Sequence, residues 1–140
     1  MPDDLTRLER EVMMTLLAPD HPVMHALRRQ YEVCGVARRE FTGVGFFSKL
    51  VVAGGAAAAP VTRKTIALGD ATATIDGLKR GAGFVLFVRD GVLETLEGFT
   101  FDEPWPDDAT RFQITAGGVG HHGGSETDRE QVEAAWDRGG

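Results

Sequence analysis

Apolar residues near the start of the chain recur at intervals of three and four positions, which is the pattern of a helix with one buried face. The stripe runs along residues 5–17 and consists of Leu5, Leu8, Val12, Met13, Leu16 and Leu17. Asp3 or Asp4 is expected to cap the start of this helix, and Pro19 is expected to end it. Asp20 is placed to cap a second short helix. The buried line of that helix consists of Val23, Leu27 and Tyr31.

Beyond the second helix, apolar and polar positions alternate, and this period of two predicts strands. The predicted strand stretches are 33–40, 44–52, 64–75, two strands within 83–98, and 111–115. Asp90 and Gly91 tolerate the positive φ angles of a type I′ turn and therefore predict a β-hairpin. In its simplest register, Phe87 lies opposite Glu94. Gly69 is expected to bend or bulge the third strand.

These elements predict an α+β fold, in which two N-terminal helices pack on one face of a single antiparallel sheet of about six strands. Residues 1–116 are expected to form one domain, because a chain of this size can build one hydrophobic core. From Gly117 the composition becomes rich in glycine. Residues 117–140 are therefore predicted to be a flexible tail, made of a linker and a weak or mobile helix.

The chain of 140 residues carries a formal net charge of −6, and the charge is unevenly spread. Residues 90–108 contain no Lys or Arg and seven carboxylates: Asp90, Glu94, Glu97, Asp102, Glu103, Asp107 and Asp108. Because such a surface repels phosphate backbones, we expect no nucleic-acid partner. The single cysteine, the charged N-terminus and the lack of an apolar run of membrane-spanning length predict a cytoplasmic protein with no membrane partner.

The stretch FTGVGFFSKL at residues 41–50 raises the question of a phosphate-binding loop. A dinucleotide fingerprint needs a third glycine where this chain has Ser48, and a Walker loop needs Gly-Lys-Ser/Thr. An alternating strand follows, in place of the helix whose N-terminus would hold the phosphate. We therefore expect Gly43 to form a turn and Gly45 to be a strand position that a neighbouring segment crosses closely.

The remaining reactive residues do not form a recognisable catalytic or metal-binding motif. His21 and His25 have the spacing of two ligands on one helical face, but no Cys-x-x-Cys motif accompanies them. A second pair, His121 and His122, falls in the tail. Cys34 lies among small apolar strand residues, which favours packing over nucleophilic chemistry. We expect no cofactor and no metal ion, and no residue is predicted to be catalytic.

Two segments, REFTGVGFF at 39–47 and GAGFVLFVRDGVLETLEGFTFDEPWP at 81–106, resemble those of a family of small, uncharacterised bacterial proteins. The resemblance covers roughly residues 5–115. It implies a shared fold unit and no known activity. The Ala-rich loop 54–59 and the tail do not belong to the family's pattern.

The leading functional hypothesis is a small binding or regulatory module that engages a basic protein surface, as an immunity protein binds a cationic toxin. Its predicted contact residues are Trp105, Asp102, Glu103, Asp107 and Asp108. Prolines on both sides of Trp105 stiffen the segment. The indole ring either anchors the partner or folds back over the end of the core, and the sequence leaves both alternatives open.

The alternative hypothesis is a small-ligand-binding protein or enzyme with a polar pocket between the helices and the sheet. Its candidate pocket residues are Arg39, Glu40, Arg89 and Glu94. A lone carboxylate at Glu94 would be costly to bury, and Arg89 is its nearest partner in the predicted register. A homodimer formed through an exposed sheet edge is a further alternative.

Overall fold

The computed structural model describes residues 4–54, 56–61 and 63–116. Within them lie two helices and six strands: α1 (Arg7–Leu16), α2 (Pro22–Tyr31), β1 (Cys34–Phe41), β2 (Gly45–Val52), β3 (Thr65–Ile75), β4 (Ala82–Arg89), β5 (Val92–Thr100) and β6 (Phe112–Ala116). The strands form one antiparallel sheet in the order β1-β2-β5-β4-β3-β6, with both helices packed on one face. The predicted α+β fold is confirmed. The tail predicted for 117–140 lies outside the described residues.

The first helix begins at a reciprocal cap that the sequence analysis assigned to the wrong residue. Thr6, rather than Asp3 or Asp4, is the N-cap of α1. The Thr6 hydroxyl accepts the Glu9 N–H at 3.1 Å, and the Glu9 carboxylate accepts the Thr6 N–H at 2.8 Å. This capping box satisfies two backbone donors at once, which a single aspartate upstream would not do.

The second helix is capped by a histidine. His21, rather than Asp20, is the N-cap of α2, and its Nδ1 atom accepts the Val23 N–H at 3.1 Å. The Asp20 carboxylate instead contacts His25 Nε2 at 2.6 Å. Neither helix of the described chain is long and apolar enough to cross a membrane.

Two local features of the sheet, the β4–β5 turn and an irregularity in β3, lie where the sequence predicts them. Asp90 and Gly91 have φ angles of 52° and 77°, which a type I′ hairpin turn requires. In β3 the pairing with β4 shifts between Leu68 and Ala71. The expected irregularity at Gly69 is therefore confirmed, and it lets both Leu68 and Ala71 face the core.

The register of the β4–β5 hairpin is the predicted one next to the turn, where Arg89 pairs with Val92, and it differs by one residue from Phe87 onward. Phe87 pairs with Thr95, while Val88 pairs with Leu93, so Glu94 is an extra residue in β5. With one extra residue between them, two positions that are three apart along the strand face the same side of the sheet. Leu93 and Leu96 are accordingly both buried against the helices.

A buried glutamine joins α2 to the β4–β5 hairpin. Gln30 Nε2 donates to the Gly91 carbonyl at 2.8 Å and to the Ala57 carbonyl at 3.0 Å. Its Oε1 atom accepts the Leu93 N–H at 2.9 Å. Because these bonds satisfy the buried amide, Gln30 can lie in the core without a desolvation penalty and fixes α2 over the turn.

Gly45 lies where β2 passes β5 without room for a side chain. A Cβ atom at Gly45 would collide with the Gly98 carbonyl oxygen and lie 3.0 Å from the Phe99 Cα atom. Both neighbours are backbone, so they cannot move aside by changing rotamer. The close crossing predicted for Gly45 is confirmed, as is the turn at Gly43, where φ is 90°.

We expect Gly45→Ala to lower the free energy of unfolding by about 2–3 kcal/mol, because β5 would have to shift to admit the methyl group. Gly54→Ala is the matched control, since nothing lies within 4 Å of a Cβ atom there. The control should change the stability by less than about 0.5 kcal/mol. Urea unfolding of both variants measures the difference, and equal stabilities would contradict the close crossing.

Candidate functional site

A cavity of about 300 Å³ lies beside the N-terminal end of α1, between this helix, the β1–β2 hairpin and the segment 105–112. We call it the α1 cavity. Its polar lining residues are Thr6, Arg7, Glu9, Arg39, Asp107 and Thr110. Its apolar lining includes Leu8, Phe41, Phe46, Trp105, Ala109 and Phe112. The cavity thus joins an aromatic interior to a small number of charged groups.

The Glu9 carboxylate is the most deeply buried charged group of the cavity. Its side chain is 2% exposed. Oε1 accepts the Thr6 N–H at 2.8 Å and Arg39 Nη2–H at 2.6 Å. Oε2 accepts Arg39 Nε–H at 3.1 Å and the hydroxyl of Ser48. Each oxygen therefore holds two hydrogen bonds, which is close to the full acceptor capacity of a carboxylate.

A bulge in β1 brings Arg39 to the face that carries Glu9. The pairing of β1 with β2 shifts between Val36 and Arg38, which leaves Ala37 as the extra residue. Strict alternation would place Val36 and Arg39 on opposite faces, whereas the bulge turns both toward the helices. Arg39 then pairs directly with Ser48 of β2, so the two donors to Glu9 are cross-strand neighbours.

Glu9 remains ionised in this setting. Burial raises the pKa of the Glu9 carboxyl, but the hydrogen bonds from Arg39, Ser48 and Thr6 and the charge of Arg39 together bring that pKa below its ordinary value. A carboxylate with a low pKa and filled acceptor positions is a poor general base. Its role in the site is to hold Arg39.

Arg39 keeps hydrogen-bonding capacity after it has bound Glu9. A guanidinium group has five N–H donors, and two of those of Arg39 point at Glu9. Among the described residues, no partner is found for the two donors on Nη1. The side chain is 22% exposed and lines the α1 cavity. Arg39 is therefore a fixed donor for an acceptor group placed in the cavity.

Aromatic rings form much of the apolar lining of the cavity. Trp105 meets Phe46 edge to face, with ring centroids 5.2 Å apart and an interplanar angle of 74°. The Trp105 backbone N–H donates to the Gly43 carbonyl at 2.8 Å. Phe41 lies 6.4 Å from Phe46 between centroids and is 68% exposed. Of the two alternatives for Trp105, the structure has the ring folded against the core.

Arg7 lies at the side of the cavity nearest to β6. Its guanidinium carbon is 4.5 Å from the centroid of the Phe112 ring, a cation–π geometry. Its Nε atom also contacts the Glu11 carboxylate at 3.1 Å, with both side chains exposed. Arg7 thus covers an aromatic ring and is already paired with an acidic neighbour.

Two of the acidic residues predicted to contact a protein partner, Glu103 and Asp108, form hydrogen bonds within the chain itself. Glu103 accepts the backbone N–H groups of Lys79 and Arg80 at 2.9 Å each, and these bonds lower the pKa of its carboxyl. Hydrogen bonds from the Thr110 side chain and from the Thr110 N–H, the latter at 3.0 Å, lower the pKa of the Asp108 carboxyl. Both carboxylates hold the segment that carries Trp105 in place. Asp102 is exposed, with a φ angle of 62°.

Of the four candidate pocket residues, only Arg39 lines the α1 cavity within the described part of the chain. Glu40 lies on the other face of β1, where it contacts Arg38 at 3.3 Å. Arg89 is exposed beside the hairpin turn. Glu94 is the bulged residue of β5, and its carboxylate lies 4.0 Å from Lys49 Nζ instead of beside Arg89.

The two described histidines form hydrogen bonds within the fold, and the cysteine is partly buried. His21 caps α2 and His25 contacts Asp20. No group of three or more His, Cys, Asp or Glu side chains suited to a metal ion occurs among the described residues, and His121 and His122 lie outside them. Burial raises the pKa of the Cys34 thiol to about 11, so this group is protonated at neutral pH and a weak nucleophile.

Sequence reasoning missed Glu9, although one signal for it was present. Thr6 and Glu9 have the spacing of a capping box, which marks Glu9 as a residue of the first helical turn. Glu9 also lies within the stripe of apolar residues that faces the sheet. A carboxylate inside such a stripe requires a buried partner, and the partner comes from β1, thirty residues further along the chain.

No protein-family model, curated protein or solved structure matches the chain. The resemblance of residues 39–47 and 81–106 to a bacterial family stays a prediction. The functional argument therefore depends on the geometry of the α1 cavity.

We expect Glu9→Gln to destabilise the fold, because it leaves the Arg39 charge without its counter-ion. The loss should be roughly 2–4 kcal/mol, somewhat less than for a fully buried pair since Arg39 is partly exposed. Glu40→Gln is the control, because this exposed carboxylate contacts only exposed Arg38. It should cost less than about 1 kcal/mol. Denaturant unfolding at pH 7 measures both losses.

The stabilisation that the Glu9 carboxylate gives to the folded state should disappear in acid. The pKa of Glu9 is lowered by folding, so its stabilisation is complete above the unfolded pKa of about 4.3 and is lost as the pH falls through the lower folded pKa. The difference in unfolding free energy between the wild type and Glu9→Gln should therefore shrink below about pH 4.3. A difference that stays constant to pH 3 would contradict an ionised Glu9.

Proposed function

We propose that this protein binds a small molecule in the α1 cavity. The observation that carries the proposal is the pairing of Glu9 with Arg39, which fixes a partly buried arginine with spare donors in the lining of an aromatic cavity. An arginine held by a carboxylate loses little side-chain entropy when a ligand binds, because it is already immobilised.

The size and lining of the cavity fit this function. Small-molecule sites are concave and mostly apolar, with a few polar groups that orient the ligand, and their volumes start at about 300 Å³. The α1 cavity reaches the lower end of that range. Its ligand should therefore be compact, with an apolar body that replaces water against Phe46 and Trp105.

Binding is favoured over catalysis by the state of the charged groups. Glu9 has both oxygens occupied by donors, so it has no free position from which to take a proton from a ligand. Asp107 is the other carboxylate of the lining, and it is exposed. A solvent-exposed carboxylate is weak support for acid–base chemistry.

The hypothesis of a protein partner at the acidic segment has less support. It requires Trp105 to be offered to a partner, whereas the ring packs against Phe46 and lines the cavity. Two of the carboxylates assigned to that surface, Glu103 and Asp108, are engaged with backbone N–H groups of the chain itself.

A thermal-shift screen of a metabolite library tests the proposal. A ligand of the cavity should raise the melting temperature of the wild type by a few degrees, since a ligand that binds only the folded state stabilises it. Ala109→Phe should abolish the shift, because the new ring occupies the cavity that Ala109 lines. Ala18→Phe is the control, since Ala18 is exposed and lies beyond the end of α1.

A second readout uses the position of Trp105. In a Trp136→Phe background, Trp105 is the sole tryptophan of the chain, and its emission should change with the ligand. A shift that persists in Ala109→Phe without any change in Trp105 emission would place the ligand elsewhere. A library without any stabilising compound would contradict small-molecule binding.

A further inference from the structure

The charges that line the α1 cavity cancel one another. Arg7 and Arg39 contribute two positive charges, while Glu9 and Asp107 contribute two negative ones. The deep pair, Glu9 and Arg39, is joined by two hydrogen bonds and is neutral as a unit. Arg7 is also paired with Glu11 just outside the cavity. When Glu11 is counted as well, the exposed side of the cavity carries one negative charge in excess, that of Asp107, whereas the groups beside Arg39 offer hydrogen bonds without a surplus of either charge.

A ligand with a net charge would be disfavoured in such a site. A carboxylate near Arg39 would meet a guanidinium whose charge Glu9 already balances, and it would also be repelled by Asp107. An ammonium group beside Arg39 would meet a second cation that has only donors, and the Glu9 oxygens that could pair with it are already occupied. Burying an ion without a counter-ion is costly, whereas a neutral polar group needs only a hydrogen-bond partner.

The hydrogen-bonding groups of Arg39 and Glu9 specify an acceptor. Arg39 has N–H donors left after binding Glu9, and a guanidinium cannot accept a hydrogen bond. The oxygens of Glu9 are occupied, so they are not free to receive a ligand donor. The group that fits beside Arg39 is therefore one with a lone pair and no charge, such as a carbonyl oxygen.

The apolar part of the cavity favours a ligand with a planar aromatic body. Phe46 and Trp105 meet edge to face, and Phe41 is inclined to Phe46 by 52°. Rings arranged in this way present faces and edges on which an aromatic ligand can stack or make further edge contacts. Phe41 is largely exposed at the opening, so a flat ligand could also cover it.

We propose that the ligand of the α1 cavity is an uncharged aromatic molecule that bears a carbonyl acceptor for Arg39. This inference rests on the proposed function, because it names the class of ligand for the same site. It predicts that neutral aromatic amides and ketones bind in preference to aromatic acids and amines of the same shape.

Three probes with one aromatic body test the inference: 2-naphthamide, 2-naphthoate and 2-naphthylmethylammonium. Isothermal titration calorimetry of the full chain at pH 7 should give an affinity for the amide at least about tenfold higher than for either ion. A difference of this size is expected because each ion would bury its charge without a counter-ion. Equal or tighter binding of the carboxylate or the ammonium ion would overturn the inference and leave small-molecule binding intact.

A change in the charge balance provides the second test. Asp107→Asn removes one negative charge from the lining, so the affinity for 2-naphthoate should rise about threefold to tenfold, while that for 2-naphthamide changes less than about twofold. Asp102→Asn is the control, because it makes the same change outside the cavity lining. An equal gain in both variants would overturn the assigned charge balance.

The outcomes separate the two proposals. In one outcome, none of the three probes binds, but the library screen yields other ligands whose binding Ala109→Phe abolishes. The neutral aromatic carbonyl class is then wrong, and the cavity is still a ligand site. If neither the probes nor the library contains a ligand, both proposals fail.

Discussion

The buried carboxylate of Glu9 is the interaction on which the rest of the site depends. An ion at this depth would be strongly destabilising alone, and it is accommodated because four hydrogen bonds surround it. Those bonds come from three different elements: the cap of α1, the edge strand β1 and the adjacent strand β2. A single side chain therefore sets the position of the helix on the sheet and the orientation of Arg39.

The aromatic side of the cavity has a separate physical origin, in close packing of backbone and rings. A Cβ atom at Gly98 would collide with the Phe46 ring, so the glycine in β5 leaves the space that this ring occupies. Trp105 then packs on Phe46, and its backbone N–H bonds to Gly43 in the β1–β2 turn. The stretch FTGVGFFSKL, which raised the question of a phosphate loop, instead supplies the turn, two aromatic rings of the cavity lining (Phe41 and Phe46) and a buried hydroxyl next to the cavity.

Much of the fold could be predicted because its signals are local. The periodicity of the apolar residues identified both helices, and Asp90-Gly91 located the hairpin through the φ angles that its turn demands. The candidate site could be predicted only in part, because bulges depend on tertiary packing. The extra residue at Ala37 turns Arg39 inward, and the one at Glu94 shifts the hairpin register. A model in which successive strand residues strictly alternate between the two faces predicts neither bulge. Glu9 was missed since its partner lies on a distant strand.

A double-mutant cycle on Glu9 and Arg39 is the most direct measurement of the buried interaction. Denaturant unfolding at pH 7 would compare the wild type with Glu9→Gln, Arg39→Gln and the double variant. If the two groups stabilise one another, the double variant should lose less than the sum of the single losses, by about 1–3 kcal/mol. Losses that add to within about 0.5 kcal/mol would contradict the pair as the basis of the site.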